Sequence, residues 1–63
     1  LDNIGEKIKK KRVEKNLKQY ELAKLADMSN TFLSDIETGR SAPAIKTLEK
    51  IAKALEIDIK EFF

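Results

Sequence analysis

The chain has no cysteine, no histidine and no tryptophan. Those absences exclude disulfide cross-links, zinc sites built on Cys or His, haem held by His, and any nucleophile activated by an imidazole. Glycine occurs only at Gly5 and Gly39 and proline only at Pro43, so few residues break the backbone pattern. No uninterrupted apolar run exceeds two residues, which leaves no stretch suited to a membrane span or to the apolar core of a signal peptide. No glycine-rich phosphate loop and no metal-ligand cluster is present, and so small a domain has little interior from which to exclude water. The expectation is a chain that is not an enzyme and needs no cofactor or metal.

What remains is an aliphatic, strongly charged sequence of 63 residues, enough for one small domain spanning 1–63. A domain of this size buries only about 60% of the surface exposed by its unfolded chain, so its core must be efficient or shared with a partner chain. The chain opens on Leu1 rather than Met, as a trimmed fragment of a longer protein would, and 1–63 is expected to be the N-terminal part of that protein. Net charge is only +2, but it is unevenly spread. Residues 1–24 hold eight Lys/Arg against four Asp/Glu, and residues 25–63 hold five against seven. That division suits a polarised surface, and equally a solvated Lys-rich helix face.

Apolar residues recur at helical spacing throughout, and no segment alternates long enough for a strand. The pattern predicts an all-α fold of five short helices, at about 4–15, 19–26, 30–38, 45–55 and 59–63. Asn3 with Glu6, and Asp58 with Glu61, have the spacing of capping boxes for the first and last helices. Ser29 is a good N-cap for the third helix, and Gly39 stands where a helix-ending glycine belongs. Inward stripes are Leu22, Ala23 and Ala26 on the second helix and Leu48, Ile51, Ala52 and Leu55 on the fourth. Two short helices joined by a few residues, with small alanines where they cross, describe a helix-turn-helix, or else the αα-corner of any small bundle.

Two charges interrupt apolar stripes. Arg12 follows Ile4 and Ile8 on the first helix, and Glu37 follows Leu33 on the third. An unpaired charge facing a core is costly, so the two residues are expected to pair and to fix the first helix against the end of the third. The alternative is that both side chains snorkel to water.

The segment from Leu17 to Gly39 carries Gln19-x-x-Leu22-Ala23, Ser29 and Ile36-Glu37-x-Gly39 in order, followed by Pro43 and Ala54-Leu55. In these residues the chain resembles the Cro/CI-type helix-turn-helix of phage repressors and the XRE family, over essentially its whole length. The resemblance implies a lambda-repressor-like five-helix fold whose third helix enters the major groove of double-stranded DNA. It further implies base contacts from Asn30, Thr31, Ser34 and Asp35, and phosphate contact by Gln19. Lys18, Ser29, Arg40 and Ser41 lie nearby as further phosphate candidates, and the family's arginine–glutamate core pair falls on Arg12 and Glu37. The sequence departs from the family pattern at three places: Asp27 where the turn commonly has Gly, Lys18 where a cap would open the second helix, and Ala44 where a Ser often precedes the fourth. Phe32 is expected to pack partly against the fourth helix, or else to touch thymine methyls; Phe62 is expected to face inward with Ile57, and Phe63 to stay partly exposed or at an interface.

The implied function is sequence-specific regulation of transcription, by a prokaryotic or phage repressor acting as a homodimer on a palindromic operator. Ile59 and Phe63 are the candidate dimer contacts. The setting would be the cytoplasm, at the nucleoid, with no membrane partner. A second reading is a protein-binding module, an antitoxin or a regulator sequestered by a protein antagonist, for which the helix-turn-helix is mainly a platform.

Overall fold

Each helix begins and stops where local chemistry dictates. In the computed structural model, which describes residues 3–63, the order is α1 (Ile4–Glu14), α2 (Gln19–Leu25), α3 (Asn30–Thr38), α4 (Ile45–Leu55) and a closing 3-10 turn (Ile59–Phe62). No strand occurs among the described residues. The fifth helix expected over 59–63 is thus a single 3-10 turn that ends before Phe63. Its amides bond three residues back, as Phe63 N does to Lys60 O, because four residues are too few to propagate an α-helix.

All four α-helices stop in the same way. A residue in left-handed geometry follows each one: Asn16 (φ 59°), Asp27 (φ 57°), Gly39 (φ 84°) and Glu56 (φ 58°). The next N–H then reaches back to a carbonyl five residues earlier, Leu17 to Arg12, Met28 to Ala23, Arg40 to Asp35 and Ile57 to Ala52, at 2.8–3.1 Å. This is the Schellman closure, which satisfies carbonyls left open at a helix end. The turns at Asn16 and Asp27 also end α1 and α2 one residue short of the expected Lys15 and Ala26.

The starts are less uniform. Asn3 Oδ1 accepts from Glu6 N at 2.9 Å, which is the forward arm of the expected capping box. Ser29 Oγ accepts from Phe32 N at 3.0 Å. Lys18 has no acceptor to offer, but its own N–H donates to Glu21 Oε1 at 2.7 Å, so α2 is closed from the other side. Ala44 leaves α4 without a side-chain cap. The second expected box is not made. Asp58 Oδ1 accepts from Lys60 N, and Glu61 instead turns to α1, where it meets Lys11 Nζ at 2.9 Å. That hydrogen bond, with the attraction of the Glu61 and Glu14 carboxylates, raises the Lys11 pKa above its ordinary 10.5.

The core is aliphatic with one aromatic: Ile8, Leu22, Leu33, Ile36, Leu48, Ile51, Leu55 and Phe62 are all shut off from solvent, with Ala23 and Ala26 beside them. α3 packs mainly on α1 and α2, while α4 supports α2, α1 and the closing turn. Ala23 on α2 and Ala26 just after it are both buried, and α2 packs against α3, as expected of small residues at a helix crossing. A tighter approach lies elsewhere. A Cβ on Gly5 would overlap the carbonyl oxygen of Ile36 and lie 2.8 Å from that of Glu37, so α1 crosses the end of α3 almost backbone to backbone. Phe62 is buried and Ile57 packs against the core, as expected, whereas Phe63 keeps 68% of its surface open.

Candidate nucleic-acid interface

α3 turns two chemically different faces to its surroundings. Inward it buries Leu33, Ile36 and Glu37. The Glu37 side chain is 2% exposed and that of Arg12 is 11% exposed. Arg12 Nε donates to Glu37 Oε2 at 2.8 Å and Nη2 to Oε1 at 3.2 Å, while Nη1 donates to the carbonyl of Leu17 at 2.8 Å. The two interrupted stripes therefore do meet, and neither charge snorkels to water. No buried polar side-chain atom lacks a partner among the described residues.

Outward, α3 presents Asn30 and Thr31, which are exposed, and Ser34 and Asp35 one turn on, which are half-buried. Among the described residues none of these four side chains has a hydrogen-bond or ion-pair partner; the Thr38 hydroxyl bonds the backbone carbonyls of Ser34 and Asp35, not their side chains. Phe32 is 39% exposed on the margin of this face.

The remaining candidate residues lie at or next to the ends of α2 and α3. Arg40 directly follows the left-handed Gly39, is exposed, and has no ion-pair partner among the described residues. At the other three helix ends the corresponding residue is apolar, Leu17, Met28 or Ile57, and packs on the core. At α3 the same motif ends in a cation facing solvent. Ser41 is half-buried and its N–H is used on Asp35 O at 3.2 Å. Ser29 accepts as the cap of α3, which leaves its hydroxyl hydrogen to donate. Lys18 is exposed at the start of α2. Gln19 departs from a simple outward reading, because its Nε2 donates to Glu37 Oε1 at 3.2 Å and so closes the buried ion pair from the α2 side. Its second amide hydrogen remains open.

Two neighbours escape a reading by stripes and caps. Tyr20, 58% exposed, and Lys24 line a shallow groove with Ser29 and Asn30 where α2 meets the start of α3. Their signal in the sequence is the i, i+4 spacing on the polar side of α2, immediately after Gln19. Ile59 is half-buried against the core, leaving Phe63 as the open member of the expected dimer pair.

With this geometry in hand, known proteins give a consistent comparison. The Helix-turn-helix family profile matches residues 8–62. The chain is a Cro/CI-type helix-turn-helix protein. That family comprises transcription regulators rather than a class of enzymes. Over 56 residues the chain is 54% identical to the ImmF control region 10 kDa protein of Bacillus phage phi105, covering 89% of this chain and 62% of that protein. It is 43% identical to the immunity repressor protein of the same phage, covering 89% of this chain and 39% of the repressor. The chain thus spans well under the full length of these relatives. Among solved structures, the P22 c2 repressor in complex with a synthetic operator superposes with a TM-score of 0.89 at 25% identity, covering all of this chain and 96% of that one. The helix-turn-helix of the family falls on α2, the Ala26–Ser29 turn and α3, and Asp27 fills the left-handed position where Gly is common. No helix among the described residues is long and apolar enough to cross a membrane.

Proposed function

We propose that this chain is the DNA-reading domain of a transcription repressor, which lays α3 in the major groove and acts as a homodimer on a palindromic operator. The observation that carries this reading is the uncommitted outer face of α3, set on a helix whose inner face is fully satisfied. Polar side chains without partners are what base edges need, and a helix locked from behind holds them in register.

The chemistry of each position follows. Asn30 suits an adenine, to which a carboxamide bonds in two places at once. Thr31 and Ser34 serve either base type or touch a thymine methyl. Asp35, an acceptor only, suits the amino group of a cytosine. α3 itself contains no Lys or Arg, so attraction to phosphate comes from its borders. Arg40 and Lys18 supply charge there, Gln19, Ser29 and Ser41 supply neutral donors, and Tyr20 and Lys24 extend the row along the groove. A single α3 reads only a few base pairs, so a second copy about one helical turn away, ~34 Å, completes the site. Phe63, with its ring largely open, is the apolar contact at hand for that partner. The working compartment is the cytoplasm, at the nucleoid.

Selection of bound duplexes from a random pool, followed by affinity measurements across salt concentrations, tests this. The expected result is an inverted repeat with half-sites one turn apart and an affinity that falls steeply with salt. A pool that never converges on a motif would overturn DNA reading in favour of the platform role, in which a protein antagonist or toxin is the main partner.

A further inference from the structure

We propose that Glu37 is the positioning residue for Gln19: the buried carboxylate that locks α3 also aims the phosphate-binding amide of α2. The proposal rests on the phosphate reading of Gln19 given above and adds to it how that amide is oriented.

A glutamine at a helix start has three rotatable bonds and would ordinarily sweep a wide arc. Here Nε2 donates to Glu37 Oε1 at 3.2 Å, and the same oxygen accepts Arg12 Nη2 at 3.2 Å. The carboxamide is planar, so fixing one N–H fixes the direction of the other N–H and of Oε1. The reversed amide, with Oε1 against the carboxylate, would set two acceptors face to face, so the chemistry allows one orientation only. Glu37 is itself immobile, because Arg12 holds both of its oxygens and is in turn pinned to the Leu17 carbonyl of the α1–α2 loop. A continuous chain of hydrogen bonds therefore runs from that loop through Arg12 and Glu37 to the first residue of α2. One carboxylate on the inner face of α3 sets both the seat of the reading helix and the direction of a backbone-gripping donor. The register between base contacts and phosphate contacts is thereby fixed within the protein before any duplex arrives.

The test is a double-mutant cycle on affinity for the selected duplex, with the pair replaced by Arg12→Met and Glu37→Leu together so that no lone charge is buried. In the parent, Gln19→Ala is expected to weaken binding to every duplex roughly tenfold, the effect of losing one hydrogen bond to a charged oxygen. In the doubly substituted background the same change is expected to cost nothing further. An equal loss in both backgrounds would overturn the positioning role while leaving the phosphate contact standing. No loss in the parent would remove the phosphate contact and the proposal with it. A readout that needs no substituted protein is solvent exchange of the two Nε2 protons of Gln19, the chain's single glutamine. One proton is expected to be protected in the free protein and the other open until DNA is added, whereas equally fast exchange of both would overturn the proposal.

Discussion

The two faces of α3 solve opposite problems with similar residue types. Glu37 on the inner face has both oxygens engaged by Arg12 and Gln19, while Asp35, two residues earlier on the outer face, has an idle carboxylate. The helix ends repeat the contrast. Three Schellman closures spend their last residue on the core, and the fourth presents Arg40 to solvent. The same local motif thus serves packing in three places and exposure in one, and the exception lies beside the face with unspent donors and acceptors. Substitutions on the inner side should register as stability, and those on the outer side as binding.

The sharpest break in that division should come from the ion pair. Arg12→Met or Glu37→Leu alone strands a buried charge and should cost ~3–5 kcal/mol in chemical denaturation. The double change should be far milder, and a double mutant that melts like either single one would show that the pair is not a unit. Gly5→Ala comes next. Overpacking typically costs ~1–3 kcal/mol, and the upper end is expected here because the obstructing atoms are backbone carbonyls that cannot swing aside. Outer-face changes should leave stability within about 0.5 kcal/mol. Arg40→Ala should instead weaken binding to all duplexes alike and lower the slope of log affinity against log salt by roughly one, read from a salt titration. The smallest effect belongs to the Lys11–Glu61 link. Because its folded-state pKa is raised, its contribution is complete below 10.5 and fades as pH climbs through the higher folded value. Denaturation followed into that alkaline range should show a slightly shallower decline for Glu61→Gln than for the parent.

Much of the inner face was legible in the sequence because it is a property of single segments. Leu33, Ile36 and Glu37 fall on one stripe, Arg12 extends another, and a charge in such a stripe demands its opposite. Gly39 and Ser29 announced both ends of α3 for similarly local reasons. Gly5 was silent because a close approach is a property of two segments, and nothing near Gly5 in the chain points to the carbonyls of Ile36 and Glu37. The partner of Glu61 was hidden in the same way, since its spacing from Asp58 imitated a capping box that the tighter 3-10 turn does not form. Four residues are also too few to reveal whether a helix is α or 3-10. On the outer side, Asn30, Thr31, Ser34 and Asp35 were assigned through the family resemblance, and the structure adds that their side chains are unengaged. The phosphate contact that the resemblance implies for Gln19 gives no sign of its bond to Glu37, because an amide's partner across the fold leaves no mark in the spacing of its own helix.

The claim that α3 reads base pairs with its uncommitted face is tested most directly by Asn30→Ala, assayed on a panel in which each base pair of the selected site is replaced in turn. The account predicts that preference is lost at one base pair, by ~1–3 kcal/mol, and kept at all others. Uniform weakening across the whole panel would contradict it.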